Sequence, residues 1–173
     1  MSTAPALTDH VIVLDGHTAD DIEAHLEGED EELARRFGWF PVRSTRETVI
    51  AAIAGWQHDW DTEGDRRAFA LRLLPGRELA GGCEVRRVAD RCAEVSYWVF
   101  PAFRGRGLAG RAVRLVGDWA GPGLGVKRLR LSIAPDNEAS LRVARAVGFA
   151  PVGERDENGL TMLLFERRLA PVR

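Results

Sequence analysis

The sequence predicts a single α+β domain over residues 1–173, and three observations predict it. Apolar residues repeat with a period near two in some stretches and near 3.6 in others. Their order is strand, helices, three strands, helix, strand, helix, two strands. The three central strands are joined by turns too short to hold a crossover helix, so they form an antiparallel meander and not a βαβ series. With 173 residues, 45% of them hydrophobic and 29% charged, the chain suits one core of ordinary globular composition.

The elements follow in order. "HVIVLD" (His10 to Asp15) is rich in β-branched residues and reads as a strand, and residues 1–9 before it are expected to be poorly ordered. Thr18 can cap a helix with an acidic first turn, "TADDIEAHL", and a second short helix follows through "EDEELARRFGW". Ser44 or Thr45 caps a third, "TRETVIAAIAGWQHDW", with Val49, Ile50, Ile53 and Trp56 or Trp60 on one face. "RRAFALRLL", "ELAGGCEVRRV" and "CAEVSYWVF" are the meander, turned at "PGR" and "ADR". Leu108, Ala112, Leu115, Val116 and Trp119 mark a helix of about four turns, which "GPGLG" should end. "VKRLRLSI" sets Leu129, Leu131 and Ile133 against Arg128, Arg130 and Ser132. Asp136 or Asn137 then caps a helix through Val147, and Gly148 stops it. "FAPVGE" and "LTMLLFERRL" are two closing strands around the Asn158-Gly159 turn.

Composition excludes several classes. A net charge of −2 gives no general pull toward nucleic acid. No apolar run approaches the ~20 residues of a membrane span, and "MSTAPALTDH" has neither a basic start nor an apolar stretch, so it is not a secretory signal. Cys83 and Cys92 do not make a disulfide framework and are expected to be reduced, in a cytoplasmic protein. Four scattered histidines form no ligand cluster, so no metal site is expected.

The chemistry sits in "VSYWVFPAFRGRGLAGRAVRLV", Val95 to Val116. Gly105-Arg106-Gly107-Leu108-Ala109-Gly110 spells G-x-G-x-x-G, the string of a dinucleotide-binding turn. Its context is wrong for that. Four residues, Pro101 to Arg104, separate it from the strand, the strand belongs to an antiparallel meander, and Arg128 and Arg130 stand where an acidic ribose ligand should be. No G-K-[S/T] follows, which excludes a P-loop. The loop can still hold a phosphate: the glycines open backbone N–H groups to ligand oxygens, a helix begins there, and Arg104 and Arg106 add charge. The plain alternative is a glycine turn with two solvated arginines.

At these residues the chain resembles a known family. Arg104 through Ala109 matches the R/Q-x-x-G-x-G/A signature of the GNAT superfamily of acetyl-CoA-dependent N-acetyltransferases. "AEVSYWVFPAFRGRGLAGRAV" resembles its fourth strand and third helix. "LSIAPDNEASLRVARAVGF" resembles its fifth strand and fourth helix, with landmarks at Asn137, Ser140, Gly148 and Phe149. The resemblance is good from about Ala80 to Phe149, and it is closest to the ribosomal-protein N-terminal acetyltransferase-like branch. It implies a mixed, mostly antiparallel sheet of about seven strands, flanked by helices on both faces and splayed between the fourth and fifth strands.

The resemblance also implies roles. Acetyl-CoA is the cosubstrate. Its pyrophosphate lies on the backbone amides of Arg104, Gly105, Arg106, Gly107, Leu108 and Ala109, and its pantetheine arm pairs like an added strand with Tyr97, Trp98, Val99 and Phe100. An N–H near Val99 would meet the thioester carbonyl. Asn137 reaches the pantetheine. Arg142 or Arg145 is a candidate for the adenosine phosphates, solvated helix arginines being the ordinary alternative. A primary amine attacks the thioester directly in a ternary complex, so it must first lose a proton to a base. Glu94 is the first candidate and Glu84, on the neighbouring strand, the second; the alternative for both is a carboxylate paired with a cross-strand arginine. Many family members place a tyrosine four residues before the G-F glycine to serve the leaving thiolate. Here that position is Ala144, which leaves Ser140, either as a donor to sulfur or as a first-turn residue satisfying helix amides.

The acceptor side should come from the N-terminal helices. Trp39, Phe40, Trp56 and Trp60, with Glu29, Asp30, Glu31, Glu32, Asp59 and Asp61, would suit a cationic amine such as a peptide N-terminus, an amino-sugar or a polyamine. The alternative is that the tryptophans are core and the acids solvated. The expected partners are a small-molecule amine or peptide N-terminus, with no nucleic acid or membrane, and the chain a monomer or homodimer. The other functional reading is a non-catalytic acyl-CoA-binding sensor of the same fold.

Overall fold

The computed structural model describes residues 4–170. Eight strands form one sheet in the order β1-β2-β3-β4-β5-β6-β8-β7: β1 Leu7–Thr8, β2 Ile12–Asp15, β3 Arg66–Leu73, β4 Glu78–Ala89, β5 Cys92–Val99, β6 Arg128–Ile133, β7 Ala150–Glu157 and β8 Leu160–Arg168. Five α-helices accompany them: α1 Ile22–Gly28, α2 Glu31–Phe37, α3 Arg46–Asp61, α4 Leu108–Leu124 and α5 Glu138–Ala146. Every strand pair is antiparallel except β5 with β6. The α+β class and the mixed sheet are as the sequence predicts.

Three details differ from expectation. The sheet has eight strands because Leu7–Thr8 pair with Val13 and Leu14, so residues 4–9 are not the poorly ordered tail expected; residues 1–3 lie outside the described residues. Two residues carry no periodicity, which is why pattern alone misses them. Ile50 is 47% exposed, so the buried stripe of α3 is Val49, Ile53 and Trp60. And α4 does not stop at Gly121 but runs through Pro122 to Leu124, because Ala120, Gly121 and Leu124 are buried against the sheet and Gly125 supplies the left-handed cap. Packing outweighs the local breaker signal there.

The main core lies between the sheet and the α4–α5 side. Phe69, Leu71, Val85 and Ala93 of the sheet pack with Ala112, Val113, Val116 and Ala120 of α4, all fully buried. The opposite, front face is covered by α1, α2 and α3 through two smaller clusters, Leu33–Ala70–Leu79–Phe100 and Ile22–Val49–Ile53. Period-two alternation on β5 therefore sends Ala93, Val95, Tyr97 and Val99 to the core face and Glu94, Ser96 and Trp98 to the front.

Candidate active site

The site begins where β5 and β6 part. They pair only over Cys92–Glu94 with Arg128–Arg130, although β5 continues to Val99 and β6 to Ile133. The free stretch of β5 has a definite polarity. The Phe100 N–H donates to Ala80 O at 2.8 Å, on the β4 side. Backbone groups alternate sides along a strand. Ser96, Trp98 and Phe100 thus bond to β4, while Val95, Tyr97 and Val99 turn their N–H and C=O groups into the splay. Of the four residues expected to pair with the pantetheine, Tyr97 and Val99 face the splay, whereas Trp98 and Phe100 direct their backbone groups to β4 and the Phe100 ring is buried with Leu33 of α2.

Beyond Val99 the chain makes a single 3-10 turn at Pro101–Phe103 and enters the glycine loop. Gly105 and Gly107 sit at φ +75° and +72°, a conformation side chains disfavour, and nothing crowds the space where a Cβ would stand. Gly107 is the N-cap of α4 and offers no side-chain oxygen. Among the described residues, the N–H groups from Gly105 to Gly110 donate to no protein acceptor. A row of free donors at the head of a 17-residue helix is an anion cradle. Leu108 is buried in the core and anchors this helix end.

The two loop arginines are less available than expected. Arg104 Nε donates to Val99 O (3.1 Å), Nη1 to Asp30 (2.8 Å) and Glu32 (3.0 Å), and Nη2 to the other Asp30 oxygen (3.1 Å). Arg106 donates to Ala102 O (3.2 Å), with its guanidinium 5.5 Å from the Phe103 ring centroid. Arg104 is thus neutralised by carboxylates, whereas Arg106 meets none among the described residues.

The head of α5 faces this cradle's neighbourhood. Asn137 is the N-cap, and its Oδ1 accepts from the Ser140 N–H at 3.1 Å. Its Nδ2 is left to donate outward. The Ser140 N–H is thus capped by Asn137, the side chain that serves the helix head. The Tyr97 hydroxyl is buried with no well-oriented hydrogen-bond partner, and Ser140 is the polar side chain beside it. Burial pushes the phenol's pKa up, with Ser140 pulling weakly the other way, so the phenol keeps its proton. Ala144 is fully buried in the main core, so that position has no room for a tyrosine.

Both candidate bases are ion-paired. Glu94 lies 3.2 Å from Arg155 Nη2 on β7, which also holds Glu157, and the side chain is 25% exposed. One Glu94 oxygen, Oε2, is buried without a well-aligned donor. Glu84 accepts from Arg86 at 3.2 Å and lies 4.0 Å from Arg66; it is 14% exposed. Glu84 stands directly opposite Ser96 on the front face, so the two carboxylates flank one serine.

Sequence reasoning missed the wall around them. His17 and His25 meet, Nδ1 to Nε2, at 3.3 Å. Trp56 lies 4.3 Å from His17 between ring centroids, and Trp98 stacks 6.1 Å from it. Trp98 can lie flat because β4 has Gly82 beneath it: a Cβ there would stand 2.1 Å from the indole. Burial lowers the His17 pKa to about 3 and lowers that of His25, so both are neutral at neutral pH. Arg72 on β3 anchors the wall from below, with Asp21 at 2.6 and 3.0 Å and Asp15 at 2.8 Å. Trp60 is core and donates to Ala68 O, as the plain reading of the tryptophans had it, whereas Trp39 (41% exposed) and Phe40 (38%) stand open. Cys83 and Cys92 are buried free thiols, and among the described residues no group of three His, Cys, Asp or Glu could hold a metal.

Comparison with known proteins agrees with this architecture. The family model described as acetyltransferase (GNAT) domain matches residues 12–150. The chain belongs to the GNAT acetyltransferase family. YdaF of Bacillus subtilis (strain 168), whose name proposes a ribosomal N-acetyltransferase, is 29% identical over 112 residues, covering 63% of this chain and 57% of that protein. Spermidine N(1)-acetyltransferase of Escherichia coli (strain K12) is 34% identical over 79 residues, 44% of this chain and 42% of that one. The chain thus spans about half the length of these relatives. Among solved structures, a RimL ribosomal L7/L12 α-N-protein acetyltransferase bound to coenzyme A aligns at TM-score 0.78 with 18% identity, over 95% of this chain and 98% of that one.

Family membership extends the resemblance from Ala80 back to residue 12, beyond the stretch legible from motifs. Within this GNAT chain Tyr97 and Val99 line the free stretch of β5, Ser140 lies beside the Tyr97 hydroxyl, and Asn137 caps the helix that carries Ser140. Glu94, Glu84, Trp98 and the histidine pair lie on the front face beside the splay. Arg142 and Arg145 make no ion pair among the described residues.

Proposed function

We propose that the protein is an acetyl-CoA-dependent N-acetyltransferase that acts by direct attack of a primary amine in a ternary complex. The observation that carries this is the splay itself: beyond Glu94 the β6-facing side of β5 has no strand partner, which leaves the Tyr97 backbone and the Val99 N–H open near the free amides of Gly105–Gly110. An extended amide-bearing arm fits the first by strand addition, and a pyrophosphate fits the second. The Val99 N–H is suited to hold the thioester oxygen as charge develops on it. Coenzyme A in the RimL structure agrees with this reading.

The front face takes the amine. Glu94 is the preferred base and Glu84 the second, each close to Ser96. Tyr97, kept protonated by burial, and Ser140 serve the departing thiolate from the opposite side. Exposed Trp39 and Phe40 near Glu29 and Glu31 suit a cationic acceptor with some apolar surface, a peptide N-terminus or small amine. Relatives named for spermidine and for ribosomal proteins bracket that range.

A second reading, a non-catalytic acyl-CoA-binding sensor, is favoured by the ion-pairing of both carboxylates. One experiment separates the two. Free thiol release from acetyl-CoA is followed with a panel of polyamines, amino-sugars and peptides, beside calorimetry of acetyl-CoA binding. Turnover with any acceptor supports the transferase, and binding without turnover the sensor. Gly107→Glu sets a carboxylate against the pyrophosphate and should abolish binding while the fold persists; unchanged affinity overturns the cofactor site.

A further inference from the structure

Helix α2 lies across the cleft and is tied to both of its sides. At its head, Asp30 and Glu32 hold Arg104 of the glycine loop through three hydrogen bonds of 2.8–3.1 Å. Toward its end, Arg36 reaches Asp136 at 2.8 Å, the residue before the α5 cap Asn137. Between these ties, Leu33 packs on Phe100, the residue that follows β5. Phe37, at the helix end, meets the Trp98 ring edge-on at 6.0 Å. One short helix thus touches the pyrophosphate loop, the end of the splayed strand, the head of α5 and the aromatic wall of the front face.

We propose that Arg104 and Asp30, with Arg36 and Asp136, are positioning residues: they clasp α2 to the cofactor cleft, so that ordering the cleft orders the acceptor face. This rests on acetyl-CoA as the ligand of the splay. Arg104 suits the role because four of its five N–H donors are already used within the protein. Its planar fork fixes the geometry of loop and helix together. It is bound to Val99 O at one end and to α2 at the other, so a ligand that stills the loop stills α2 as well. The clasp is built from partly exposed pairs, with Arg104 35% and Asp30 31% exposed. Each such pair is weak alone, which leaves α2 free to loosen while the cleft is empty.

Hydrogen exchange with and without coenzyme A tests this. In the wild type, saturating coenzyme A should slow the amides of Leu33–Phe37 by about fivefold or more, alongside those of the loop and α4. Asp30→Asn/Glu32→Gln removes the charges and keeps a side-chain oxygen for the Leu33 N–H cap. This variant should still bind coenzyme A and protect the loop, while α2 no longer responds. Arg104→Gln, made from the other side of the pair, should give the same uncoupling. A purely structural role would speed α2 exchange equally with and without ligand. Binding without protection of α2 in the wild type, or undiminished protection in both variants, overturns the clasp. Absence of coenzyme A binding in the wild type instead overturns the cofactor reading.

Discussion

Acid should destabilise this protein through a buried imidazole. His17 is 3% exposed, and burial, reinforced by His25, drops its pKa from 6.5 to about 3. In the unfolded chain it titrates near 6.5. Between those values the unfolded state binds the extra proton, so stability is lost as pH falls below 6.5. At pH 5 the lag is about 1.5 pH units, and at ~1.36 kcal/mol per unit His17 alone removes about 2 kcal/mol. His25, whose pKa burial also lowers, acts in the same direction. His17→Phe keeps an aromatic ring against Trp56 and Trp98 and removes the titration. Urea unfolding of both proteins, followed by tryptophan fluorescence, should show them similar at pH 7.5. At pH 5 the variant should have gained about 2 kcal/mol relative to wild type, a melting shift of about 4–8 °C at ~2–4 °C per kcal/mol for a domain of this size. Parallel stability–pH curves for the two proteins would refute the buried neutral imidazole.

Two further outcomes concern the chemistry. Glu94→Gln should lower turnover by about a hundredfold with little change in acetyl-CoA affinity; near wild-type activity there, with loss in Glu84→Gln, would exchange the two roles. Tyr97→Phe should lower turnover about tenfold, as should Ser140→Ala, with melting temperatures nearly unmoved because the helix cap is Asn137; full activity in the Tyr97→Phe/Ser140→Ala double variant would remove this pair from the thiolate step.

The legible parts of the sequence are those whose causes are local. The alternation of Leu129, Leu131 and Ile133 with charged neighbours yields β6 with those three buried. Gly105 and Gly107 spell a loop that needs left-handed backbone, and both adopt it. What stayed hidden depends on partners far along the chain. Arg155 meets Glu94 across 61 residues, Arg72 meets Asp21 across 51, and Arg104 meets Asp30 across 74. Composition offers many arginine and carboxylate pairings, and periodicity does not choose among them. Two histidines eight residues apart likewise look scattered until α1 brings them together. One local signal was available: Gly81-Gly82 in a buried strand marks a close approach, which proves to be the Trp98 ring.

The G-x-G-x-x-G string shows why such motifs need their flanks. In a dinucleotide fold the glycines follow a parallel strand and the cofactor lies across the sheet's end. Here the same letters follow the third strand of a meander, after a 3-10 turn that Pro101 begins. The strand before the turn ends with Val99 facing an open splay. On the proposed reading, the ligand site continues from the loop into the sheet, alongside the strand. An extended arm is needed to fill both halves, and a compact nucleotide would use only one. The arginines beside the glycines invite a charge-based reading, yet Arg104 is occupied by Asp30 and Glu32. On the proposed reading, the anion is held by six neutral N–H groups, from Gly105 to Gly110, and the head of α4, with Arg106 as the one loop arginine that has no ion pair among the described residues. Hydrogen bonds from such groups to a charged ligand are worth about 1.5–3 kcal/mol each, against about 0.3–1 kcal/mol for the helix end.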